Sequence, residues 1–278
     1  MTGYNFIMQF SYFTMHLTDP QNLEKISRRD FIQKIFTPVE KEDFEISEDT
    51  EYFNISSNEQ FIVSKVRKKV IVKLDKGKRE KELVNEDSFE KIFLIVDNRE
   101  STPNGGIHQT IALQTSKKID AEKIRVSLIA FLNKRALELK SSYRFDLVTK
   151  HDSKSFWDAI KGKKITELKA TYPVRNLFGT RCPVEEDQKE AETMNARKIS
   201  HQVENLEEGL TLEDTNHNLQ VMVQASSEGQ SHISAKSGNS ITYVSDKKPL
   251  KKNITVDENL LNNSPFKIIS SLFEIFKL

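Results

Sequence analysis

Cysteine is nearly absent. Cys182 stands alone among 278 residues, so no intramolecular disulfide can form and no cysteine-based zinc site can be built. That usage fits a reducing compartment. Long apolar runs are missing too: no stretch reaches the roughly 18 apolar residues that a membrane-crossing helix needs. The opening residues MTGYNFIMQFSYF have neither a basic segment nor an uninterrupted apolar one, which predicts no secretory signal. The expectation is a soluble, cytoplasmic protein with no membrane partner. Charge of one sign is also lacking, with 42 Lys and Arg against 41 Asp and Glu for a net +1. A uniform attraction to nucleic acid or membrane is therefore not implied, and the uneven distribution of charge matters more than its sum.

Several catalytic signatures are missing. The sequence has no Gly-rich phosphate loop, Walker lysine, GxSxG elbow, HExxH or CxxC pair. His16, His108, His151, His201, His217 and His232 are scattered without ligand spacing, and Cys182, beside Pro183, has no base near it in sequence. No metal site and no cofactor are expected, and the reading leans against an enzyme.

What is present is an α+β pattern. Hydrophobic residues make up 37%, enough for a packed core. Residues 4–13 alternate with aromatic enrichment and predict a strand with one buried face. Asp19-Pro20 opens a helix with Leu23, Ile26, Phe31 and Ile35 as its buried face. An acidic stretch from Glu40 to Glu51 precedes a pair of hairpins that turn at Asn58 and at Asp75-Lys76-Gly77.

From Phe89 to Tyr172 the order is strand, turn, strand, long helix, strand, short helix, strand. The long helix presents Ala121, Ile124, Leu128, Phe131, Leu132 and Leu139 on one face, with Asp120 at its start. Val184 to Gly209 reads as an acidic helical strap. LQVMVQA, SHISA, ITYVS and LKKNITV then read as a β-meander with Gly-bearing turns. In SPFKIISSLFEIF, Phe266, Ile269, Leu272, Phe273 and Phe276 form the apolar face of a C-terminal helix. The fold expected is thus a mixed or antiparallel sheet with a long packing helix, then the meander and that helix. The division expected is an α+β body over 1–175 and the strap, meander and helix over 176–278, or one domain of both.

Three candidate sites follow. The strand after Asn58 sorts by parity: Lys65, Arg67, Lys69 and Lys73 share one face, and Lys76, Lys78, Arg79 and Lys81 lie in and beyond the next turn. Such a ribbon can track phosphates of DNA or RNA. Its alternatives are a solvated face whose lysines guard a strand edge, or pairing with the acidic stretch upstream. The C-terminal helix face could instead meet a protein partner or a second copy of the chain.

The third site is a carboxylate constellation. Asp146 in YRFDLV, followed by Glu167-Leu168-Lys169, resembles the Asp…Glu-x-Lys motif of restriction-endonuclease-like nucleases. The resemblance implies Mg²⁺ held by the two carboxylates, with Lys169 activating water or steadying the phosphate.

Over residues 88–256, the order FWDAI, ITELKATYPV, NLFG, acidic helix and Gly-turned strands is similar to uncharacterised bacterial proteins carried in accessory or phage-defence regions. That likeness implies a genomic context rather than an activity. The combined expectation is a non-catalytic defence or mobile-element protein that binds nucleic acid through the basic hairpin. A Mg²⁺-dependent nuclease and an oligomeric interaction scaffold are the alternatives.

Overall fold

The structure, a computed structural model, describes residues 5–18, 27–37, 44–58, 60–73, 85–99, 110–117, 119–174, 185–194 and 196–257. The elements in chain order are β1 (Asn5–Thr18), α1 (Arg28–Phe36), β2 (Phe44–Ser47), β3 (Thr50–Ser57), β4 (Phe61–Lys73), β5 (Asn85–Asp97) and β6 (Thr110–Thr115). There follow α2 (Ala121–Glu138), β7 (Arg144–Thr149), α3 (Ser153–Ile160), β8 (Glu167–Pro173), α4 (Glu185–Thr193) and β9 (Lys198–Glu204). Last come α5 (His217–Ser227), β10 (His232–Ser237), β11 (Ser240–Val244) and β12 (Lys251–Asp257). The fold is α+β, with two antiparallel sheets.

The first sheet runs β12-β1-β6-β5-β4-β3-β2, and β7 also pairs with β1. β1 serves two partners on one side, β12 along Asn5–Ser11 and β7 along Phe13–Thr18, while Gln9–Thr14 pairs with β6 on the other. That central place buries both of its faces from Phe10 onward: Phe10 and Tyr12 point one way, Phe13, Met15 and Leu17 the other. The alternation read in the sequence is thus of two apolar faces rather than one.

Helices α1 and α2 cover one face of this sheet. Ile124, Leu128, Phe131 and Leu132 of α2 meet Phe13, Met15, Leu17, Tyr52, Val66, Ile92 and Leu94 in one dry cluster, each side chain contributing roughly 1.5–3 kcal/mol by burial. Both helices start on side-chain caps, Ser27 accepting from the Asp30 N–H and Asp120 from the Glu122 N–H. Tyr52 brings a phenol into this wall of Ile and Val, and its hydroxyl donates to the Phe36 carbonyl at 2.7 Å and meets the Ser64 hydroxyl at 2.6 Å.

The second sheet runs β11-β10-β8-β9, with α3 and α5 on one face around Phe156, Leu168, Val223, Ile233 and Tyr243. The turn after α5 locks it onto the first sheet. Thr14 donates its hydroxyl proton to the Glu228 carbonyl at 2.6 Å, and His16 lies 2.7 Å from the Gly229 carbonyl through Nε2. Gly229 has φ +73° and sits so close that an added Cβ would fall 2.9 Å from the Thr14 Cβ, which requires glycine.

Two further readings of the sequence change. LQVMVQA is helical in α5, because Asn216 caps it on the Leu219 N–H and the spacing of Leu219, Met222, Val223 and Ser226 fits one helical face better than alternation. Only the first part of 184–209 is helix; Lys198–Glu204 is β9, paired with β8. Both sheets cross residue 175: β8 before it belongs to the second and β12 after it returns to the first. The C-terminal segment with Phe266, Ile269, Leu272, Phe273 and Phe276 lies outside the described residues.

Candidate nucleic-acid interface

Strands β3, β4 and β5 present a cation-and-ring surface on the face of the first sheet turned away from α1 and α2. Their antiparallel register fixes which residues meet. Glu51, Arg67 and Lys91 stand in one cross-strand row, Phe53, Lys65 and Phe93 in the next, and Lys69 lies opposite Phe89. Period two then sends all of these side chains to the same side.

The geometry is specific. The Arg67 guanidinium lies between two rings, 4.9 Å from the centroid of Phe53 and 4.7 Å from that of Phe89. Its Nε also donates to Glu51 at 2.7 Å. The Lys65 ammonium sits over Phe93 at 5.0 Å. Lys69 and Lys91 are exposed, and Phe89 keeps 47% of its surface in water although it is a large apolar ring. Phe93 sits at the rim of a second apolar cluster formed by Phe10, Tyr12, Phe61, Val63 and Ile95, which anchors the patch to the sheet.

The upstream acids do pair with part of the ribbon. Glu51 holds Arg67, and Asp49 reaches Lys68 at 3.2 Å on the opposite face. Along Glu51–Phe53, Lys65–Lys69 and Phe89–Phe93 the described outward cations are Lys65, Arg67, Lys69 and Lys91, with Glu51 as the carboxylate in their row, while Arg99 over Phe61 further along this face is paired with Asp97. Local charge is thus positive on a chain whose total nearly cancels.

Of the basic residues singled out in the sequence, Lys65, Arg67 and Lys69 come together here. Lys73 lies in β4 opposite Asn85, while Lys76, Lys78, Arg79 and Lys81 fall outside the described residues. The rings Phe53, Phe89 and Phe93, and Lys91 with them, are the part that sequence reading missed. Their signal was the alternation Phe89, Lys91, Phe93, hidden inside the apolar run that continues through Ile95.

The carboxylate constellation is not gathered. Asp146 lies on β7 of the first sheet and pairs with Lys198 at 3.3 Å. Glu167 and Lys169 lie on β8 of the second, where Glu167 pairs with Lys236 at 2.9 Å. Lys198 stands four residues along β9 from Gln202, the partner of Lys169, a backbone separation of roughly 13 Å. Among the described residues no three His, Cys, Asp or Glu side chains converge as a metal site would need.

Two histidines that looked isolated in the sequence are built into the interior. Burial pushes His16 down to about 4, and it also lowers His151, which bridges Ser226 at 2.8 Å and Tyr243 at 2.9 Å. Both are held neutral in polar contacts, which suits a structural role. No described helix is long and apolar enough to cross a membrane. Comparison with protein-family models and with curated proteins finds no match.

Proposed function

We propose that this protein binds nucleic acid without catalysis, laying a single-stranded segment across the outer face of β3, β4 and β5. The observation that carries the reading is the interleaving of Lys65, Arg67, Lys69 and Lys91 with Phe53, Phe89 and Phe93 on one sheet face. Same-face residues recur every ~6.6 Å along a strand and every ~4.8 Å across strands, so each cation has a ring beside it or on the diagonal. Lysines neutralise phosphates and release counterions, and exposed rings stack unpaired bases whatever their sequence. A duplex hides its base faces and leaves the rings unused. The resemblance of residues 88–256 to accessory-genome proteins supports placing this binding in phage defence or on a mobile element.

Titration of fluorescently labelled single-stranded DNA and RNA, and of a duplex of equal length, tests the proposal by anisotropy. Single strands should bind more tightly than the duplex, and Phe89→Ala should weaken them by about 5- to 150-fold, the equivalent of ~1–3 kcal/mol for one stacked base. Absence of single-strand binding at low salt would sink the reading.

A further inference from the structure

The second sheet ends on an edge strand whose sequence is complementary to itself. In β9 the pairing with β8 is fixed at both ends, by the Val174 N–H donating to the Arg197 carbonyl and the Asn205 N–H to the Thr166 carbonyl. With the observed register, the odd-numbered residues of β9 spend their backbone groups on β8. The N–H and C=O groups of Lys198, Ser200, Gln202 and Glu204 therefore point away from the sheet, and among the described residues no strand takes them up. An open row of this kind is a template for another strand.

We infer that β9 pairs antiparallel with β9 of a second copy of this chain, about a two-fold axis at His201. In that register the outward-facing residues meet each other, as a hydrogen-bonded ladder requires. Lys198 falls opposite Glu204 of the second copy and Ser200 opposite Gln202, and each pair occurs twice by symmetry. On the other face Ile199 falls opposite Val203, and Val203 is 51% exposed in the single chain. Met194 and Leu206, both exposed, lie before and after the strand in the chain.

Charges at the ends of an edge strand ordinarily repel a second strand. Here the Lys and Glu stand symmetrically about the centre of KISHQVE, so the same charges that reject a parallel or shifted neighbour attract an identical antiparallel one. Lys198 meets Asp146 at 3.3 Å, yet its side chain is 56% exposed and its ammonium carries three donors, so it can also face Glu204 of the second copy. The product is one continuous sheet running through both copies.

Sedimentation equilibrium on the full chain tests this. The wild type should show a concentration-dependent shift from 32.1 kDa toward twice that mass. Lys198→Glu and Glu204→Lys should each weaken the dimer at least tenfold, because each sets like charges opposite one another at both ends. Mixing the two variants should restore it. In the mixed pair the two substituted positions face each other with opposite charges, and so do the two unsubstituted ones, a rescue that misfolded chains could not give. Gln202→Pro, which removes an outward N–H and leaves the bonds to β8, should also yield monomers. A wild type that stays at 32.1 kDa at every soluble concentration overturns the inference. So do single variants that dimerise like the wild type, or monomeric variants that fail to pair when mixed.

Discussion

The two faces of β4 divide the work of the molecule. Toward α1 and α2 it presents Ile62, Ser64 and Val66, all buried, against Tyr52, Ile92 and Leu94. Toward solvent it presents Lys65, Arg67 and Lys69, held among rings and one carboxylate. The contacts of the inner face are apolar or fully hydrogen-bonded, and breaking one leaves a cavity or an orphaned polar atom. Those of the outer face are cation–ring contacts of ~0.5–1 kcal/mol at exposed sites and a half-exposed ion pair of comparable size. Contacts so weak can be exchanged for a phosphate and a base at little cost. Under the proposed function, stability and recognition are carried by alternate residues of one strand.

The inner face is most sensitive at Tyr52, whose ring packs against Phe36 and Phe131. Tyr52→Ala should cost ~3–5 kcal/mol in urea unfolding, because it opens a cavity and strands the Ser64 hydroxyl, while the Phe36 carbonyl keeps the Asn54 amide at 3.2 Å. The change sits on the same strand as Glu51 and Phe53 but on its other face, and should leave ligand affinity of the folded fraction within about twofold.

Next in size is the pH response of the region where the outer face is itself covered. His16 stands on the same face of the first sheet as the patch, under the Gly229 turn. Unfolded, it takes up a proton near 6.5; buried, only near 4. Between these values the unfolded chain binds more protons, so the stability His16 confers is complete above 6.5 and is lost as pH falls toward 4, about 3 kcal/mol in all. Urea midpoints measured across that window should fall accordingly, and His16→Gln should flatten this part of the profile.

The mirror experiment to Tyr52→Ala is Phe89→Ala. With the ring 47% exposed, unfolding free energy should change by no more than ~0.5 kcal/mol. Affinity for a single strand should nonetheless fall. A variant that lost stability without losing binding would place Phe89 in the core and undo the division between the faces.

Much of this arrangement could be read from the sequence, and what could not has a physical reason. The parity of Lys65, Arg67 and Lys69, the buried face of α2 and the Asn58 turn all rest on local periodicity, which a single segment contains. Which residues stand beside the cations depends on register across β3 and β5, and the sequence of β4 does not contain it. Phe89 to Asp97 reads as one apolar run because its later part, through Val96, is covered on both faces while only its beginning alternates. For β9, sparse apolar residues in an acidic context suggested a strap; its period of two emerges only once β8 pairs with it. The motif Asp146, Glu167 and Lys169 failed for the converse reason, since suitable residue types at suitable spacing were sent to different sheets.

Salt dependence of binding decides whether the outer face of β3–β5 holds nucleic acid through its cations. For a single strand, log K should fall with log salt at a slope of about −2 to −3, as expected when three or four phosphates are neutralised. Lys65→Ala and Lys69→Ala should each reduce that slope by ~0.7 without changing unfolding stability by more than ~0.5 kcal/mol. Binding whose slope is the same in the wild type and in both lysine variants would contradict the account, because the charges that hold the strand would then lie elsewhere.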